Sequence, residues 1–362
     1  MFLMNSKKIT LIFFLIILFA ILIAIYSLRD ISSETVVQAA ERYALSGHAD
    51  KKSISFNYWN DNDSMLIPAA CAGCHSTYGF LDYLGEDGSD SGTVNAGASV
   101  GSVITCSACH NPSAHELDQV KFHSGNTVQS TGTETVCLVC HQSRQSTTGV
   151  ENALQGLSED EVSESLSFIS PHYNIAASTQ YGSDAHSGYE YPGKDYAAFF
   201  SHAANVEICT DCHNAHSLKV EPQQCAVCHV QVVNDLDFQN IRTQTQDFDG
   251  NGDNSEGVYF EIVSLQERLY KAMQDYTRTT SEIPIVYAAQ FPYFYVDTND
   301  NSQADADEVS SGNRYNAWTP RLIKAAYNFM FAKEDPGGYV HNARYVLQLL
   351  HDSISDLESI NP

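Results

Sequence analysis

The sequence predicts a mainly α-helical protein with extensive irregular loops, its body organised around covalently attached groups and preceded by one N-terminal transmembrane helix. Three observations carry that expectation: an uncharged apolar run near the N-terminus, five copies of one cysteine motif, and helical hydrophobic periodicity concentrated in the last third of the chain. Three regions follow. Residues 1–29 read as a membrane anchor or signal segment, residues 30–229 hold every cysteine, and residues 230–362 form a cysteine-free helical region packed on the second. The formal net charge is −25, from 19 basic and 44 acidic side chains. That balance excludes nucleic acid as a partner, since binding it needs clustered Lys and Arg. An apolar content of 43% is ordinary for a globular chain and excludes both a many-span transporter and a disordered tail.

Lys7 and Lys8 precede the apolar run Ile9 to Leu28. A run of about 20 residues crosses a bilayer as a helix. A secretory signal has a shorter apolar segment followed by small residues at a cleavage site. Here Ala24-Ile25-Tyr26-Ser27 is a poor site, and Val37-Gln38-Ala39 lies well past the apolar end. The expectation is an uncleaved anchor with Lys7 and Lys8 inside, which places residues 30–362 outside the cytoplasm. After Ser33 and Glu34, the residues Val36, Val37, Ala40, Tyr43 and Ala44 repeat with helical period and lead to His48.

All ten cysteines fall in C-x-x-C-H motifs: Cys71/Cys74/His75, Cys106/Cys109/His110, Cys137/Cys140/His141, Cys209/Cys212/His213 and Cys225/Cys228/His229. This is the pattern of c-type haem attachment. Two thiols three positions apart can each form a thioether to a vinyl group on one porphyrin edge, and the next histidine lies beneath the ring, where it can bind iron axially. Disulfides would leave the histidine after every pair unexplained. Zinc ribbons use two pairs per metal, and five is odd. A redox dithiol would occur once, before a helix. The motifs therefore predict a multihaem cytochrome c body with five haem c groups.

Nine histidines remain for the sixth iron position. His216 is three residues past His213 and can reach a neighbouring haem. His202 lies seven residues before Cys209, His48 follows the amphipathic segment, and His172 opens an aromatic stretch. His341 stands at the start of the last helical pattern. His115 or His123 could displace one of these, His186 and His351 are disfavoured, and Met65, Met273 and Met330 rank below the histidines because helical Met usually packs a core. Between the third and fourth motifs, residues 142–208 are rich in Tyr and Phe, suited to walling haem edges or to plain packing.

In the last third, Val258, Ile262, Leu265, Leu269 and Met273 mark one amphipathic helix. A second begins at Thr319-Pro320, puts Leu322, Ala325, Ala326 and Phe329 on one face, and stops at Pro336-Gly337-Gly338. A third runs through Val340, Ala343, Leu347, Leu350, Ile354 and Leu357, and Ile283–Val296 reads as extended. Two acidic loops resemble calcium loops. Asp247, Asp249, Asn251 and Asp253 alternate around Gly252 at the sixth place, but the twelfth place is Val258, so Glu256 or Glu261 would have to substitute. Asp297, Asn299, Asn301, Asp305 and Glu308 fit the twelve-residue pattern, with Ser302 where glycine is usual. Calcium there would tie down the cofactor-free region.

The chain resembles the polyhaem, membrane-associated c-type cytochromes of anaerobic bacteria and archaea. The likeness is carried by Ser46 to Asp50, Cys71 to Phe80 with Leu84 to Gly88, Cys140 to Gln142, Gly188 to Tyr191, and Cys209 to His216. It continues through the two acidic loops, Trp318 to Arg321, and Asp335 to Tyr345. The resemblance implies second iron ligands at His48, His172, His202, His216 and His341, and electron transfer rather than catalysis. Expected partners are other cytochromes or a quinol-oxidising complex, and the membrane through the N-terminal anchor. Two alternatives stand beside it: a nitrite, hydroxylamine or tetrathionate reductase with one five-coordinate haem, and a subunit of a conducting filament.

Overall fold

The computed structural model describes residues 34–130, 134–204 and 206–360. The expected span Ile9–Leu28 lies outside them. Among the described residues no helix is long and apolar enough to cross a membrane.

Among the described residues helices dominate, and strands are confined to three two-stranded antiparallel ribbons: Leu66–Ile67 with Ala98–Ser99, Gln119–Lys121 with Thr127–Gln129, and Ile285–Tyr287 with Phe294–Val296. Helix Val36–Ala44 opens on a reciprocal cap in which the Thr35 hydroxyl accepts from Gln38 N and the Gln38 side chain accepts from Thr35 N. Its apolar face stays in solvent, Val36 being 86% exposed. Tyr43 alone reaches inward, donating to the Ile104 carbonyl at 2.9 Å.

The largest core lies C-terminal. Helix Val258–Thr280 buries Ile262, Leu265, Leu269, Met273 and Tyr276 against helices Pro320–Glu334 and Ala343–Glu358. Helix Pro320–Glu334 starts where the sequence places it: Pro320 gives up no hydrogen bond in the first turn, and the Thr319 hydroxyl accepts from Leu322 N. It differs from the one-faced helix the sequence suggests, because Ile323, Tyr327, Asn328, Met330 and Phe331 are buried too. Helices on either side and residues 150–191 enclose it, so even Asn328 turns inward and bonds both backbone groups of Tyr189. Val150, Leu154, Leu166, Ile175 and Tyr189 belong to this same core, which thereby joins the third motif's downstream chain to the last third of the molecule. Arg321 clamps the junction, pairing with Asp160 at 2.8 Å and with Asp356.

The final helical pattern is broken in two. Gly338–His341 forms one turn, Asn342 leaves the helix at φ −167°, and its side chain accepts from Tyr345 N to start Ala343–Glu358. His341 therefore closes a short turn of its own. The haem-motif region has smaller apolar clusters, one around Phe80, Phe122, Leu138 and Tyr181 and one around Ile67, Ala72 and Ala98.

Candidate haem-binding sites

Each C-x-x-C motif occupies about one helical turn: Ala69–His75, Cys106–Cys109, Thr135–Cys140, Cys209–Cys212, and the stretch beginning at Pro222–Ala226. In the last four, the histidine N–H donates back to the carbonyl of the first cysteine, at 2.8, 3.0, 2.8 and 2.8 Å for His110, His141, His213 and His229. This i to i−4 bond stacks the first cysteine and the histidine on one side of the turn. None of the ten cysteines forms a disulfide.

The histidine rings pair across space. His75 faces His172 with ring centroids 6.0 Å apart, His110 faces His216 at 6.1 Å, and His141 faces His48 at 6.2 Å. His213 faces His341 at 6.3 Å, and His229 faces His202 at 6.1 Å. An imidazole nitrogen binds a metal at about 2 Å. Two imidazoles on opposite sides of one ion then have centroids about 6 Å apart. Every motif histidine thus has one opposite partner at that spacing. All five partners are distant in sequence from the motif histidine they face, the nearest being His202, 27 positions before His229, and their interplanar angles range from 15° to 79°.

The other nitrogen of several rings is already held. Nδ1 of His75 meets the Ser55 carbonyl at 2.7 Å, that of His141 the Asn174 carbonyl at 2.9 Å, and that of His213 the Leu218 carbonyl at 3.0 Å. Nδ1 of His216 meets Glu34 at 2.6 Å, and Nδ1 of His341 meets both Asp335 oxygens at 2.8 Å. A hydrogen bond at Nδ1 fixes the tautomer that leaves the Nε2 lone pair free for a metal. Burial, with the facing ring as a lesser cause, lowers both His48 and His172 to about 4, so both are neutral bases at neutral pH. Burial also lowers His341, but Asp335 more than reverses it, and the net shift is upward. Backbone geometry contributes as well. His172 and Asn174 hold positive φ (83° and 53°), a conformation that costs about 1–3 kcal/mol and persists only where the surroundings enforce it. At Gly337 a Cβ would come within 2.5 Å of the His341 ring, so only glycine admits that ring position.

A cavity of about 1950 Å³ runs through the region. Its walls carry the cysteines and histidines of the first, third, fourth and fifth motifs, together with His48, His172, His202 and His341. Of the second motif only Ala108 and Cys109 border it, and neither His110 nor His216 does; Cys106, Cys109 and His110 are exposed, so this motif lies at the surface. The thiols, paired rings and apolar walls fit haem as the bound group. Arg144 lines the same cavity, 3.8 Å from the Cys71 sulfur. Outside the pairs, His115 is exposed, His186 bonds Glu190 at 2.8 Å, and His351 bonds the Phe248 carbonyl at 2.7 Å. His123 lines the cavity without facing a motif ring. Met273 and Met330 are core residues. Glu34, Asp335 and the Asn174 carbonyl were not legible as parts of the sites. Glu34 is 182 positions from His216, and no local pattern links them.

The acidic loops fold alike. Positions four and six of both, Gly250 and Gly252 in one and Asp300 and Ser302 in the other, take positive φ. Ser302 so adopts the left-handed conformation that glycine supplies in the usual pattern. Carboxylate oxygens of Asp247, Asp249 and Glu261 lie within 4.8 Å of one another. Glu261 also pairs with Arg242 and accepts from Phe248 N. In the second loop Asp297 accepts from Asn301 N and Ser302 N, while Glu308 accepts from Thr298 and Asp305. Asn299 and Asn301 both donate to Asp305. In the first loop Asn251 bonds Asp249 and Glu256, and Asp253 bonds Ser255.

No family model matches the chain, and no solved structure matches it. Curated relatives do. The C-type polyheme cytochrome OmcB of Geobacter sulfurreducens (strain DL-1 / KN400) is 24% identical over 389 aligned residues, covering 87% of this chain and 47% of that protein. The C-type polyheme cytochrome OmcC of Geobacter sulfurreducens (strain ATCC 51573 / DSM 12127 / PCA) is 25% identical over 370, covering 85% and 45%. The chain thus spans about half the length of these relatives. Cysteine turns that each present a histidine to a second imidazole, on a chain alignable over most of its length with proteins of that name, make this chain similar to the multihaem c-type cytochromes.

Proposed function

We propose that the chain is a five-haem electron carrier, with each iron held between two histidines: His75 and His172, His110 and His216, His141 and His48, His213 and His341, and His229 and His202. The observation that carries this reading is the set of five ring pairs at 6.0–6.3 Å. When bound, haem c supplies reversible one-electron iron chemistry. The chain's part is to hold each ring by two thioethers, close both axial positions, and fix potentials through the groups at Nδ1. A closed coordination shell leaves no position for a substrate, which favours carrying electrons over turnover. Carbonyls at His75, His141 and His213 and carboxylates at His216 and His341 differ in charge, so the five potentials should spread. An anionic partner makes the ligand a stronger donor and lowers the potential.

The acidic surface suits basic redox partners, other cytochromes or a quinol-oxidising complex. The apolar N-terminal run fits an anchor with the body outside the cytoplasm, in the periplasm or at the cell exterior. Calcium in the two acidic loops would brace the C-terminal region, and a calcium-dependent rise in melting temperature, reduced by Asp297→Asn in the second loop, tests that part. The central test is the iron and pyridine-haemochrome stoichiometry of the purified protein, taken with its spin state. The expected result is five haems, all low-spin in the ferric form. A high-spin ferric fraction, or carbon monoxide binding to the reduced protein, would replace this reading with a catalytic haem.

A further inference from the structure

Contacts among the motifs do not follow their order along the chain. The first and third motifs lie back to back: Cys140 Sγ is 3.7 Å from the Gly73 carbonyl oxygen, and Cys74 Sγ is 3.9 Å from that of Val139. On the far side of the same two sites, residues 172–174 serve both. His172 faces His75, while the Asn174 carbonyl holds Nδ1 of His141. The third motif also touches the fourth, since Glu134, three residues before Cys137, accepts from Cys209 N at 3.1 Å. It touches the approach to the second through His48, the partner of His141, whose carbonyl accepts from Ile104 N at 3.2 Å. Ala108 of the second motif packs in one apolar cluster with Leu138 and Val139. The fifth motif meets the fourth: Val220 bridges to His213, and Gln224 reaches the Asp211 and Cys212 carbonyls.

We infer that the five sites form a branched set, with the site of Cys137, Cys140, His141 and His48 as the junction and the first site joined to it directly, not by way of the second. This rests on the haem assignment proposed above and adds an order in space to it. The junction has three neighbours and three outward arms: the first site, the surface-exposed second site, and the fourth site leading to the fifth. Electrons entering at any arm would reach either other arm through one shared centre. The competing route is sequential. Thr77, just past the first motif, bonds Thr105, just before the second, so those two segments also touch.

The experiment removes the second site and asks whether the first is stranded. Cys106→Ala/Cys109→Ala deletes an exposed tether pair, of which only Cys109 borders the cavity, and haemochrome stoichiometry should fall from five to four. His172→Met in the same chain raises the first centre's potential, because a Met/His pair sits higher than a bis-histidine pair. An electron delivered by pulse radiolysis then settles at the first centre, and the visible spectrum follows its arrival. The branched arrangement predicts an arrival rate within about tenfold of that in His172→Met alone. A slowing beyond tenfold, or failure to arrive, overturns it. If the double variant does not assemble, His216→Ala opens the second iron to carbon monoxide, which holds it ferrous and out of exchange, and the same two rate outcomes apply. If His172→Met leaves every haem spectrum unchanged, the ligand assignment fails instead. Magnetic coupling between the first and third ferric centres in the unaltered chain then decides adjacency, its presence supporting the branch and its absence overturning it.

Discussion

Glu334 shows how a single buried charge sits beside this machinery. Burial pushes its carboxyl up to about 7, with Lys333 opposing only weakly. The folded state therefore holds a proton that the unfolded state releases above its ordinary value near 4.5, so stability contributed here is highest below that pH and declines as pH rises towards 7. Glu334→Gln should remove this dependence: the variant's melting temperature relative to the parent should climb between pH 4.5 and pH 7.5. A difference that stays flat across that window refutes the argument. At the same scale, much of the candidate site was legible in the sequence. The motif cysteines and histidines announce themselves by spacing. The second histidines could be narrowed only by position and resemblance, because nothing local connects His48 with His141 or His341 with His213. Asp335 falls in a segment that resembles the polyhaem cytochromes, but its sequence position alone gives it no role. Its role comes from two oxygens at 2.8 Å from Nδ1 of His341, a fact of tertiary geometry.

Elements divide by what stabilises them. The motif turns are too short to be stable helices alone, and they are held by their neighbours and, on the reading proposed here, by two thioethers each. The C-terminal helices are held by apolar contact. Leu269, fully buried in the long helix, lies in the core shared with residues 150–191. Leu269→Ala should cost about 2–5 kcal/mol, seen as an earlier denaturant midpoint while haem content is unchanged; an effect below about 1 kcal/mol would mean that this helix does not brace the body. The hydrophobic period located all three long helices, with Thr319-Pro320 fixing one start. It missed how far helix Pro320–Glu334 is enclosed, with Lys333 alone exposed along it, since polar Asn328 and small Ala325 and Ala326 mask the burial that neighbours impose. It also ran the last helix through Asn342, where a side-chain cap breaks it.

Across the whole molecule, a net charge of −25 should govern encounter. Raising ionic strength from 0.01 to 0.15 M shortens the screening length from about 30 to about 8 Å. Reduction of this protein by a basic cytochrome should slow by about tenfold or more over that range in stopped flow, and a rate that holds steady or rises would rule out an electrostatically steered docking face. On the reading proposed here, the amino-acid sequence alone determined the chemistry: cysteine pairs followed by histidine would specify where porphyrin is tethered and what binds one side of its iron, because bond geometry along three or four residues suffices. It determined the acidity and the helical periods for the same reason, each being local or additive. Only the tertiary structure decided which distant imidazole faces which motif, that residues 172–174 serve two sites, and that the third motif touches the first directly. Those relations depend on where loops of many residues return, and no spacing along a chain encodes the path of its return.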